Sequence, residues 1–220
     1  MKPRRRWRLA AIAIFAFATA QTASADSDPV DAALARLSVT VTPKQRTVLL
    51  SGHPVVELHE SSGSSIKEGI ALALVACAPE ALYAVVTDNA KFGEFMPHVK
   101  TSTIVRDADG TVANHQELSL PFPIADRHYT IRIVNTLPDE QGARIWQSAW
   151  TYVAASGNVK ETRGAWMVTE AGTGKAILYY RVYTDPGGMV PAWASNMATR
   201  RALPDLLEAV VRRACAPANP

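Results

Sequence analysis

The residue types that do chemistry are present in this chain, but they are not grouped for it. The five histidines, His53, His59, His98, His115 and His128, are scattered. Zinc needs ligands converging at short loop spacings or on one helical face, and these offer neither. No Gly-x-Ser-x-Gly occurs, and neither Cys77 nor Cys215 has a reactive context, which argues against a nucleophilic hydrolase. Asp107 and Asp109 before Gly110 form a turn and not a calcium loop, because the later ligand positions are missing. No metal and no cofactor is expected.

A different kind of site is suggested by polar and aromatic residues set among apolar ones at strand spacing. Arg127, Tyr129, Ile131 and Ile133 share one face of a run, while His128, Thr130, Arg132 and Val134 share the other. The first set reads as inward. An arginine there needs a carboxylate or a ligand head group, since an unpaired buried charge is costly. Glu117 and Asp126 are the candidate partners. The same parity groups Trp146, Ser148 and Trp150, and separately Gly164, Trp166 and Val168. Such aromatics either line a cavity or fill a core.

The elements that must position these residues follow from periodicity. Residues 26–63 read as a polar, Pro-punctuated lead-in, with a short helix at Val30 to Leu37. Brief apolar stretches at Val48 to Leu50 and Val55 to Leu58 around the turn signal Ser51-Gly52-His53-Pro54 suggest a small hairpin or two edge strands, and Ser61 to Ser65 reads as a hinge. Ile66 to Cys77 alternates as a strand. Pro79 opens a short helix, and Phe92, Phe95 and Met96 mark a second one closed by Pro97. Six further strands are predicted at 98–106, 111–120, 127–135, 144–152, 161–169 and 175–183, joined by turn chemistry, so an antiparallel meander follows. Pro191 to Ala214 has helical spacing, with a bend expected at Pro204. The fold class is therefore α+β: a seven-stranded curved antiparallel sheet gripping one long helix. A sheet curled around a helix tends to enclose an apolar cavity, which makes ligand binding a geometric possibility.

Charge narrows the partners. The formal net charge is +3, but Lys2, Arg4, Arg5, Arg6 and Arg8 lie in the first eight positions. Beyond residue 25 the balance is 18 basic to 20 acidic residues, which argues against nucleic acid as a partner. The early cluster, the apolar run Leu9 to Ala20 and the small-x-small end Ala23-Ser24-Ala25 form a secretory signal pattern over residues 1–25, with cleavage expected before Asp26. A periplasmic or otherwise exported product is expected, with no later apolar run of membrane length.

Three stretches carry a family resemblance. Val86 to Val99 reads Val-Thr-Asp-x-x-x-Phe-x-x-Phe-Met-Pro-x-Val; Leu120 to Arg127 is a proline-rich turn closing on Asp-Arg; Tyr179 to Asn196 contains Asp-Pro-Gly-Gly-x-x-Pro-x-Trp-x-x-Asn. Together they resemble the helix-grip superfamily of START lipid-transfer domains, polyketide cyclases and aromatases, across residues 64–216. With the signal pattern, the resemblance implies an exported protein that binds, and in the transfer proteins of that superfamily also transfers, a lipid or other hydrophobic small molecule. The alternative is a cyclase- or aromatase-type enzyme with an acid-base residue in the same cavity. It implies that Arg127, Tyr129 or Tyr179 orients a polar end of the ligand, while Ile131, Ile133, Trp146, Trp150 and Trp166 line its body. The segment from Gly187 through Met189 to Trp193, with Met197, is then the gate, and transient membrane contact is implied. In a helix-grip fold the end of the first strand and the end of the last helix meet, so Cys77 and Cys215 are either bridged or two free buried thiols.

Overall fold

The structure, a computed structural model, describes residues 28–106, 112–120, 125–138 and 144–216. The leader over residues 1–25 and the cleavage before Asp26 lie outside the described residues. So do the turns at Asp109-Gly110 and Pro121-Phe122-Pro123.

Two short helices come first. Asp28 caps α1 (Pro29–Arg36) by accepting from the Val30 amide at 2.8 Å. In α2 (Pro43–Leu50), Thr42 and Gln45 form a reciprocal capping box. This corrects the extended reading of Val48 to Leu50, which is the last turn of that helix. Arg46 ties the pair together, reaching Asp28 at 2.5 Å and Asp31 at 2.9 Å.

Strand β1 (Val55–Ser61) turns directly into β2 (Ser64–Val75), with Ser61 opposite Ser64. The stretch expected as a hinge is therefore a tight hairpin, in which Gly63 takes a positive φ of 73°. There follow α3 (Pro79–Thr87), a single 3-10 turn over Asn89–Lys91, and α4 (Phe92–Phe95). The remaining strands are β3 (Val99–Arg106), β4 (Val112–Leu118), β5 (Arg127–Thr136), β6 (Ile145–Tyr152), β7 (Glu161–Glu170) and β8 (Ala176–Asp185). Helix α5 (Ala192–Cys215) is the last element among the described residues and contains Pro204.

The strands form one antiparallel sheet of eight, in the order β1-β2-β8-β7-β6-β5-β4-β3. Seven were expected; the additional strand is β1, which pairs along β2 and so joins the lead-in to the sheet.

Both faces of the sheet's middle are covered, and this explains why β2 and β8 read as nearly continuous apolar runs. On the inner face, Ala71, Ala73, Leu178 and Val168 pack with Leu82 and Val86 of α3 and with Leu203, Leu207 and Val210 of α5. On the outer face, Ile70, Leu72 and Ile177 pack with Val30, Ala33 and Leu34 of α1 and with Leu49 of α2. Each fully buried aliphatic side chain of this kind contributes roughly 1.5–3 kcal/mol of transfer free energy.

Helix α5 lies closest to the sheet at Gly69, where an added Cβ would meet Thr199 at 2.5 Å and Leu203 at 3.0 Å. Its early turns are fastened by Asn196, which accepts from the Lys67 amide at 2.8 Å and donates to the Ser65 carbonyl at 3.1 Å. Its far end is held covalently, because Cys77 and Cys215 form a disulfide across a Cα–Cα distance of 5.7 Å.

Candidate ligand-binding site

The inner face of the sheet is a set of cross-strand rows. One row runs Asn135, Ser148, Trp166, Tyr180, Ala71; the next runs Ile133, Trp150, Gly164, Val182, Gly69. Gly164 is what allows the aromatics to close up. A Cβ there would stand 2.3 Å from the Trp150 ring and 2.3 Å from the Arg181 carbonyl oxygen, so the indole lies flat across the missing side chain. Tyr180 is then held between two indoles, 5.6 Å from the Trp150 centroid and 4.1 Å from that of Trp166. Trp150 also packs against Tyr129, Ile131 and Val159, linking this cluster to the β5 side of the sheet.

The polar atoms of this face fall into two kinds. Some are satisfied within the protein: Tyr129 donates to Gln116 Oε1 at 3.0 Å, and Asn114 pairs with Ser102 at 3.0 Å. Others have no protein hydrogen bond among the described residues, namely the hydroxyls of Tyr180 and Ser148, although these residues are only 7% and 3% exposed. Neither atom is sealed off, since among the described residues no fully enclosed side-chain N or O lacks a partner. Both therefore keep some accessible surface. Burial pushes the phenols of Tyr129 and Tyr180 well above the ordinary tyrosine range, and each stays neutral at physiological pH.

Of the residues the sequence placed here, Tyr129, Ile131, Trp146 and Trp166 are buried on the inner face, with Ile133 and Trp150 partly so. Tyr179 is not among them. It pairs opposite Leu72 and packs in the outer core under α1, beside a pocket of about 260 Å³ bordered by Glu57, His59 and Arg181. Burial raises its phenol, opposed by nearby Arg181. The inward tyrosine is its neighbour Tyr180, which sequence reasoning missed.

Arg127 also differs from expectation. Its guanidinium meets neither Glu117 nor Asp126, which lie 3.9 Å from Lys100. It donates instead to the carbonyls of Ala125 at 2.7 Å and Pro186 at 3.0 Å, pinning the start of β5 to the turn that leads into α5. In that turn Gly187 and Gly188 have φ of 66° and 65°, and Asp185 accepts from the Gly187 amide at 3.0 Å. Beyond it, Met189 is 99%, Trp193 68% and Met197 42% exposed. These three were expected to touch the ligand as its gate; they stand in solvent on one stripe at the loop and first turns of α5.

The His–carboxylate pair formed by His59 and Glu57, 2.8 Å apart, is on the outer face. The His59 hydrogen bond is the main cause of a Glu57 carboxyl below its usual range. His115 and His128, at pairing positions opposite Thr130 and Glu117, carry the outward parity of β4 and β5. Among the described residues, therefore, no histidine of β4 or β5 carries the inward parity.

A long helix laid across a curved antiparallel sheet, with aromatics between them, defines a helix-grip protein. Residues 75–211 match the family model described as "Polyketide cyclase / dehydrase and lipid transport", and the chain belongs to that family. It is 24% identical over 189 residues to the phosphatidylcholine transfer protein of Rattus norvegicus, covering 82% of this chain and 88% of that protein. Its fold is like that of a STAR-related lipid transfer protein fragment from Xanthomonas axonopodis (TM-score 0.62, 18% identity, 74% of this chain and 93% of that one). It is also like that of human StAR-related lipid transfer protein 5 (TM-score 0.63, 12% identity, 74% of this chain and 82% of that one).

Proposed function

We propose that this chain is an exported lipid-binding protein, which holds a lipid or other hydrophobic small molecule between the inner face of the sheet and α5 and exchanges it at a membrane. The observation that carries the reading is the asymmetry of α5. One end is bridged to the body through Cys77–Cys215, while the other begins beside the Arg127-bound turn and presents Met189, Trp193 and Met197 to the outside. Exposed apolar side chains at the start of a covering helix can enter a bilayer surface while that end of the helix lifts from the sheet. The family and its lipid-transfer relatives support a hydrophobic ligand, burial of which is worth roughly 25 cal/mol per Å² of apolar area. The signal-like leader and the disulfide support an oxidising compartment.

The test is to purify the protein from an exporting host, determine its N-terminus, and extract it with organic solvent for mass spectrometry. A start at Asp26 and a lipid recovered above a mock preparation are expected. A retained leader would overturn the export assignment, and extracts matching the mock from several hosts would overturn the carrier assignment.

A further inference from the structure

Resting on that lipid-binding reading, we infer that the end of the ligand held inside is an uncharged hydrogen-bonding group, a hydroxyl or carbonyl, and not a phosphate-containing or zwitterionic head group. The inner face carries the chemistry for the first and lacks it for the second. Its polar side chains between the aromatics are all neutral: Gln116, Tyr129, Ser148 and Tyr180, with Asn114 and Ser102 further toward the β3 edge. Two of these, Tyr180 and Ser148, are more than nine-tenths buried, make no protein hydrogen bond among the described residues, and keep some accessible surface. A buried polar group left without a partner costs free energy, and a ligand oxygen that accepts from Tyr180 or Ser148 removes that cost.

Charge is confined to the ends of the strands. Among the described residues of the strands, the charged side chains that share the inward parity are Lys67, bound to Glu60 at 2.5 Å; Arg127, bound to two carbonyls; the exposed Arg106 at the end of β3; and Glu170 at the end of β7, bound to Arg144 at 2.6 Å. A phosphate drawn past them would lose its hydration, and among the described residues of the sheet's inner face no further cation meets it. Nor do the aromatics form a cage for a quaternary ammonium. Tyr180 packs on Trp150 at 5.6 Å, stacked at 27°, and on Trp166 at 4.1 Å, tilted by 43°, so its ring is engaged by the indoles, and a cation needs an open ring face. The inference thereby separates this chain from the ligand named by its phosphatidylcholine-transfer relatives.

The experiment compares fluorescent probes that differ only in the buried end: NBD-labelled dioleoylglycerol and NBD-labelled dioleoyl phosphatidylcholine, with dehydroergosterol as a second neutral probe. At least one neutral probe is expected to bind about tenfold or more tightly than the phosphatidylcholine probe. Tyr180→Phe and Ser148→Ala should each weaken that neutral probe by about fivefold, the loss of one hydrogen bond, while leaving phosphatidylcholine binding unmoved. Thermal melts establish that each variant is folded; if Tyr180→Phe does not fold, Ser148→Ala decides. Phosphatidylcholine binding as tightly as both neutral probes, or neutral-probe affinity unchanged in the folded variants, overturns the inference and leaves lipid binding standing. Failure of all three probes, with nothing extracted from the purified protein, overturns the lipid reading itself.

Discussion

A methyl group at position 164 would probe the interior through a single atom. Gly164→Ala places that atom on the Trp150 ring and the Arg181 carbonyl, so we expect a loss of about 1–3 kcal/mol, read as a lower urea midpoint together with a shift in tryptophan emission. The buried phenols set the alkaline limit of stability. Their folded-state pKa values are raised, so the stabilisation is complete below the unfolded tyrosine value of about 10 and is lost as pH rises above it, when the unfolded chain ionises first. Urea melts between pH 8 and 11 should show this fall, and Tyr180→Phe should flatten it. The same tyrosine shows where sequence reading stops at this scale. Tyr179 and Tyr180 are adjacent, and a shift of one residue exchanges the faces of a strand. Ala176 to Tyr180 is buried throughout, leaving no alternation by which to choose. Only the pairing of Tyr180 with Trp166 and Ala71 decides it.

At the level of elements, the strands from β2 onward and the terminal helix were legible because turn chemistry brackets each of them and the hydrophobic period changes from two to nearly four at Pro191. Helix α2 was not, since its apolar content is small and its signature is the Thr42–Gln45 cap rather than a stripe. Val55 to Leu58 was legible as extended, but its pairing along β2 was not, because Ser61 to Ser65 read as a hinge and not as the tight turn of a hairpin. The bridge that closes α5 onto the end of β2 is an element-scale device. Replacing Cys77 and Cys215 together by serine should lower stability by up to about 5 kcal/mol in the loop-entropy picture, visible as a large drop in Tm. Asn196 fastens the opposite end by two hydrogen bonds and no covalent link. Asn196→Ala should therefore speed probe exchange with vesicles while costing little stability, and equal exchange rates would show that the helix start is not what moves.

For the whole molecule, the arrangement is a sheet covered on both sides, with the inner side closed by α3 and α5 and the outer side closed by α1 and α2. The apolar stripe at Met189, Trp193 and Met197 belongs to neither core. Substituting all three by serine should leave Tm within a few degrees of the parent and sharply reduce sedimentation with lipid vesicles. Retained sedimentation would place the contact surface elsewhere. How this stripe faced was not legible in the sequence: Trp and Met at helical spacing signal a buried stripe in most helices, and only the position of Ser195 and Leu203 on the covered side shows that they point away.

The disulfide joins residues separated by 138 positions and so turns most of the chain into a covalent ring. Inside that ring, Lys175 sits on the exposed turn between β7 and β8, a natural site for trypsin. A single cut there opens the ring without dividing it. The nicked protein should migrate as one species until reductant is added and separate into two pieces afterwards.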